Sequence, residues 1–353
     1  RHDRLAQATA NNPIPRVGTA DEAADFLNRV MGFQLAPVEI DALEARTEGW
    51  IAGLQLAALS LRGRTDVRGF IQSFTGDNRY IVDYLVDEVL ARQPAPIRRF
   101  LLQTSILDRL TGPLCDAVLL ADPQAAPDPR LQGSETLEAL DRANLFLVPL
   151  DDTRQWFRYH HLFADVLQTH LLAETPELAP RLHLQASRWF EANGEPAVAI
   201  RHAFAARDYA RAAALIELEW RTMDAGFQYD AWLTWAQALP DELVRDRPVL
   251  CISYAWAHLN RGELEAGETR LRAAEAWLER LAATDAPEVA TAEVDATMVV
   301  ADEAEFQVLP ANVAAARAYL TQAPGDTAAS VAYAQRALTL LPEQDFRVRA
   351  IPG

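Results

Sequence analysis

The sequence predicts a mainly α-helical protein: a helical domain, a winged-helix domain with one β-hairpin, and a tetratricopeptide-like superhelix of α-hairpins. Three observations predict this. Apolar residues recur at three- and four-residue spacing along nearly the whole chain, the signature of amphipathic helices. One pair of segments, Leu145–Leu150 and Gln155–Tyr159, flanks the turn Asp151–Arg154 and supplies the one convincing β signal. Beyond Leu172, an Ala- and aromatic-rich helix, a Gly-plus-acid turn and a second Ala-rich helix recur, which is what stacked helix pairs require. At 353 residues the chain is too long for one ordinary core, and with half its residues hydrophobic it can fill two or three.

Residues 1–18 are polar and irregular, with Asn11, Asn12, Pro13 and Pro15 breaking any period. Order is expected from Thr19, which with Glu22 forms a capping box for a short helix over 23–31 that Gly32 ends. Pro37 suits the first turn of a second helix carrying Ile40 and Leu43. A third runs from about Trp50 to Leu61, with Trp50, Leu54, Ala58 and Leu61 on one face, Gly53 left for close backbone approach and Gly63 as its end. These helices make 19–75 a helical domain. Residues 76–172 give helices Tyr80–Ala91 and Ile97–Thr104, a Pro-broken loop over 122–129, and a helix after Gly133 with Ser134 as its cap. The hairpin and a last helix follow, and that order describes a winged helix.

From 173 to 353 the reading is helical throughout. Leu182, Ala186, Trp189 and Phe190 share a face, and Gly194-Glu195-Pro196 opens a helix carrying Ala199, Ile200, Ala203 and Phe204. The repeat cadence is seen at Tyr254–Ala257, Gly262-Glu263 and Arg272–Ala274, and again at Ala318–Leu320, Gly325-Asp326 and Arg336–Leu338. Between them, Thr284–Leu309 is acidic and poorly periodic.

Composition excludes several functions. No lysine occurs, so all 33 basic residues are arginine and the phosphate-gripping lysine of a Walker A loop is missing together with its glycines. The formal net charge is −17, and residues 76–172 hold 14 acids against 9 arginines, a net of −5, which opposes binding to a phosphate backbone. Cys115 and Cys251 are far apart and without neighbouring ligands, so neither a disulfide framework nor a zinc site is indicated. No apolar run approaches the roughly 20 residues of a membrane helix. A cytoplasmic location is expected. His161, Asp165 and His170 suggest metal ligands, but His170 lies about half a turn round the helix from His161, leaving only two on one face. Ser105 and Ser187 have no base beside them, and no catalytic constellation is found.

The segments Glu44–Gly63, Phe100–Leu110 and Phe157–Phe163 resemble the large LuxR-type transcriptional regulators of the MalT-like kind, in matching order from about Thr19 to Leu341. That family combines a signal-transduction NTPase of the STAND class, a helical-repeat sensor and a C-terminal helix-turn-helix. The resemblance implies that this chain holds the helical and winged-helix parts of the nucleotide switch and part of the sensor. The P-loop, the Walker B strand and the DNA-binding domain are then expected outside it, as Arg1 at the start and the stop after Gly353 also suggest. No cofactor is expected in this chain itself; ADP and ATP are implied for the intact parent, along with any slow hydrolysis.

By the same resemblance His160 stands where a histidine at the start of the last winged-helix helix contacts the ADP diphosphate, with Tyr159 for the usual Met and His161 for the usual Asp. An imidazole at a helix N-terminus can donate to phosphate. The plainer alternative is that His160 and His161 join hairpin to helix, His161 stacking on an aromatic neighbour. Trp50 and Ile51 similarly stand where an apolar residue touches adenine, and packing within the helix is the alternative. The implied partners are a small inducer or regulatory protein on the repeats, self-association in the active state, and DNA only through the helix-turn-helix; no membrane is involved. The rival reading is a free-standing helical-repeat adaptor for protein partners, with an enzyme third.

Overall fold

The computed structural model describes residues 20–30, 32–48, 50–61, 69, 71, 89–122, 132–143, 145–284, 298–322 and 325–341. Among these, seventeen α-helices and one two-stranded antiparallel hairpin form a mainly α architecture. They fall into two compact units, one up to Trp189 and the other from Phe190. Thr19, Gly63, the Tyr80–Ala91 helix apart from its last residues and most of the Pro-broken loop lie outside the described residues.

In the first unit, helix α1 (Ala20–Ala24) passes into a π-helical turn over Asp25–Val30, where a plain α-helix was expected. Asn28 in that turn folds the next loop back by bonding both backbone groups of Leu35, and Gly32 ends it at φ 79°. Helix α2 (Pro37–Thr47) starts at Pro37, with the Ala36 N–H donating to Glu39, and buries Ile40, Leu43 and Thr47. Its cap, Glu48, adopts a left-handed conformation at φ 48° and donates its N–H to the Glu44 carbonyl. Helix α3 (Ile51–Leu61) buries Leu54, Ala58 and Leu61 as expected. Gly53 has a steric purpose here: a Cβ would lie 2.4 Å from Cε3 of Trp50, so only glycine lets that indole lie on the helix.

Helices α4 (Ala95–Thr104), α5 (Gly112–Leu119) and α6 (Gly133–Arg142) precede the hairpin of β1 (Leu147–Pro149) and β2 (Phe157–Tyr159), which pairs Leu147 with Tyr159. Helix α7 (His161–Glu174) follows. Phe100, Leu110, Leu114, Leu140, Phe146, Phe157, Phe163 and Val166 fill the core between them. Ser134 is not the cap of α6. It sits inside the first turn, and the Gly133 N–H is instead taken by the Asp116 carboxylate of α5 at 2.7 Å. Close approach makes this possible, since a Cβ on Gly133 would meet the Gly112 carbonyl at 2.4 Å. The strands are shorter than predicted because the Asp151 carboxylate accepts the N–H groups of Gln155 and Trp156, drawing both into the turn.

In the second unit the helices follow one another as packed consecutive pairs: α9 (Pro196–Ala205) with α10 (Tyr209–Ala225), α13 (Pro248–Asn260) with α14 (Leu264–Thr284), and α16 (Leu309–Gln322) with α17 (Thr327–Leu340). Helix α11 (Tyr229–Gln237) packs on α10 and α13. Gly194, Gly262 and Gly325 take positive φ in the turns that the sequence marked. Arg207 and Phe227 adopt the same backbone region without being glycine; the Arg207 turn has no glycine, and in the other Gly226 stands one residue before the positive φ, at φ −89°. Trp232 is the fully buried centre: its indole N–H donates to the Ile216 carbonyl, and its ring meets Trp220 and Tyr254 edge-on. Cys115 and Cys251 are free and buried, and no described helix is long and apolar enough to cross a membrane.

A buried ion pair fixes the poorly periodic segment. Glu217 of α10, with no exposed surface, meets Arg247 at 3.2 Å, while its other oxygen accepts the N–H groups of Ala301 and Asp302 at 2.7 and 3.0 Å. Glu217→Ala leaves a buried guanidinium and two buried donors without an anion, and is expected to cost about 3–5 kcal/mol in urea unfolding of the chain. Glu217→Gln, which keeps an acceptor, is expected to cost less. In the first unit, Gly53→Ala is expected to cost about 1–3 kcal/mol in the same assay, because the added methyl displaces the Trp50 ring.

Candidate functional site

The residues singled out from the sequence converge where α2 ends and α7 begins. Strand β2 points Phe157 and Tyr159 inward and Arg158 outward, by the two-residue alternation of a strand. His160 closes the hairpin with a backbone bond to Phe146 and caps α7, of which His161 is the first residue. Opposite them the left-handed turn at Glu48 sends its carboxylate toward the winged helix.

The contacts form one network. Arg158 grips both carboxylate oxygens of Glu48, Nη1 to Oε1 at 2.8 Å and Nη2 to Oε2 at 3.0 Å. Nδ1 of His161 lies 2.9 Å from the same Oε1. Nε2 of His160 lies 2.8 Å from the Thr47 carbonyl, which only accepts, so Nε2 carries the proton and Nδ1 is left bare, buried and without a partner. The two imidazoles stack at 4.8 Å, and Trp50 stands edge-on to His160 and to Phe146.

Charge states follow from these neighbours. Burial raises the Glu48 carboxyl, but hydrogen bonds from His161 and Arg158 outweigh it and pull the pKa down to about 2. For His160 burial dominates over the Thr47 bond and the Glu48 charge, and pushes it down to about 4, so the ring is neutral near pH 7. The arrangement joins an ionised carboxylate to a guanidinium and a neutral imidazole whose one N–H is committed to Thr47. It is a latch between two segments and holds no nucleophile beside a base.

His160 is 2% exposed, and the N–H it could offer a phosphate is committed to Thr47. His161 is half-open to solvent, paired with Glu48 and stacked on His160. Trp50 is buried against Gly53, Phe146 and His160. Ile51 begins α3, and its side chain lies outside the described residues. Sequence reasoning missed Thr47, Glu48 and Arg158. The third ligand-type group near His161 was sought along its own helix at Asp165 and His170; the fold supplies Glu48, 113 residues earlier, instead. The one available signal was the outward position of Arg158 in an alternating strand.

The fold and the hairpin-to-helix junction define a winged-helix domain, and residues 86–179 match the family of the MalT winged helix domain. The domain belongs to that family, and the likeness to MalT-like regulators extends along the chain on both sides of it. The chain is 35% identical over 239 residues to the serine/threonine-protein kinase PknK of Mycobacterium tuberculosis strain H37Rv, covering 68% of this chain and 21% of that protein. It is 32% identical over 299 residues to the HTH-type transcriptional regulator MalT of Serratia proteamaculans, covering 84% of this chain and 30% of that protein. MalT of Yersinia pestis is 31% identical over 260 residues, 72% of this chain and 27% of that protein. The chain thus spans between a fifth and a third of the length of these relatives.

Acid should open the latch in two stages. His160 titrates near 6.5 when unfolded and near 4 when folded, so unfolding takes up a proton between those values and stability falls as pH drops from 6.5 to 4. A difference of this size is worth roughly 3 kcal/mol. Glu48 contributes fully above about 4.5 and loses its contribution as pH falls toward 2. Urea unfolding across this range should show both limbs, with the upper one flattened in His160→Gln.

Proposed function

We propose that this chain is the regulatory and signal-sensing portion of a LuxR/MalT-type transcriptional regulator, relaying events on its helical repeats to the nucleotide state of a STAND-class NTPase. The observation that carries the reading is the latch itself. The end of α2 and the start of α7 are held by a forked ion pair and a buried imidazole–carbonyl bond, contacts that are either made or broken rather than gradually deformed. Such an element is what a two-state relay needs. The matched relatives add support: a protein named as a transcriptional regulator and one named as a kinase share this stretch, which fits a part that controls an output more than one that performs it.

In this proposal the latched junction belongs to the resting, ADP-retaining state. A small inducer or regulatory protein bound to the tetratricopeptide-like repeats favours its opening, followed by ATP exchange and self-association. The protein acts in the cytoplasm, and DNA is met through a helix-turn-helix elsewhere in the polypeptide. With ADP bound in that resting state, the Arg158–Glu48 fork keeps the junction closed while His160 exchanges the Thr47 carbonyl for a phosphate oxygen, and Trp50 with Ile51 backs the same site.

Arg158→Ala introduced into the native gene is expected to raise basal target transcription and speed ADP release without inducer. A coupling of about 1–3 kcal/mol corresponds to a change of roughly 5- to 150-fold. Retained ADP and unchanged basal transcription, with the protein still folded, would sink the relay reading.

A further inference from the structure

We propose that Glu48, His160 and His161 form a binding site for a divalent transition-metal ion, with zinc as the ion whose chemistry fits the donors. One ligand atom from each residue lies within 4.8 Å of the other two. A tetrahedral ion with bonds of about 2.1 Å sets its ligand atoms roughly 3.4 Å apart, so rotations that bring the two rings out of their stack close the set. The His161–Glu48 pair is already at 2.9 Å, and Nε2 of His160 stands 4.0 Å from the second Glu48 oxygen. Two imidazoles and a carboxylate suit zinc and its neighbours rather than magnesium or calcium.

Independent features prepare these groups for a cation. Nε2 is the His160 nitrogen that faces Glu48, and it reaches the ion by exchanging the Thr47 carbonyl for it. Glu48 is held by its left-handed backbone and its bond to Glu44, so the carboxylate is presented by a fixed turn. The position already hosts a cation, the Arg158 guanidinium, whose side chain is a third exposed and can swing to solvent when an ion replaces it. His161, with 39% of its side chain exposed, opens the site to water. Among the described residues no other such trio occurs: His170 has Glu174 and His258 has Glu263, each without a third donor.

An ion at this position would join α2 to α7 through the same carboxylate that Arg158 now grips, whether or not a nucleotide is involved. The test is titration of the metal-free chain with Zn²⁺ by calorimetry, and with Co²⁺ by visible absorption. One ion per chain is expected, with Co²⁺ bands that Zn²⁺ abolishes and Mg²⁺ does not. His161→Ala, at a partly exposed position, should weaken binding by at least the roughly tenfold loss that follows from removing even a supporting group, with folding checked by circular dichroism. Arg158→Ala should tighten binding by removing the resident cation, and His258→Ala should leave it unchanged. Absence of stoichiometric binding, binding indifferent to both His161→Ala and Glu48→Gln, or weaker binding in Arg158→Ala would each overturn the proposal.

Discussion

The carboxylate of Glu48 ties the end of one helix to a hairpin and helix that begin more than a hundred residues later. Nearly everything notable about the first unit is arranged around that contact. The helix ending at Thr47 turns left-handed so that Glu48 can leave its axis; Gly53 is bare so that Trp50 can fold back beneath it; and β2 alternates so that Arg158 faces outward while Tyr159 bonds Thr104 in the core. An ion pair this close to solvent is worth little alone. Its importance lies in being joined to a buried bond, His160 to Thr47, whose loss would leave a polar group stranded without water.

The second unit meets the same problem, a buried charge, with a different balance. Glu217 and Arg247 face each other inside the helices, and four hydrogen bonds engage them: their own contact, the N–H groups of Ala301 and Asp302 to the carboxylate, and the guanidinium to the Ala210 carbonyl. A buried pair in this state is weak evidence for stability gain, because desolvation offsets the attraction. What it does supply is position: the stretch returning after α14 can dock only where two N–H groups meet that carboxylate. Next to it, the aromatic run Trp220, Trp232, Tyr254 supplies the apolar area that holds the helices together.

Helices were legible because burial on one face imposes a 3.6-residue period that needs no knowledge of partners. Glycines at 194, 262 and 325 were legible for a similar reason, since a positive φ is almost free only for glycine. Where tertiary contacts substituted for local signals, the reading slipped. Ser134 looked like a cap until Asp116 on a neighbouring helix took its place, and Arg207 made a left-handed turn with no glycine to announce it. His160 was found as a position of interest, yet its actual partner, the Thr47 carbonyl, is a backbone atom that no side-chain pattern marks.

By itself, then, the sequence determined the helical character, the single hairpin, the likeness to MalT-like regulators and the lack of a lysine-bearing phosphate loop, because each is written in composition or short-range spacing. Tertiary structure alone decided that Glu48 meets Arg158, His160 and His161, and that Glu217 meets Arg247 and the loop at Ala301. Those are encounters between residues from 30 to 113 positions apart. A charge carries no period and no local preference that names its partner, so only the folded chain, which closes that distance, selects it.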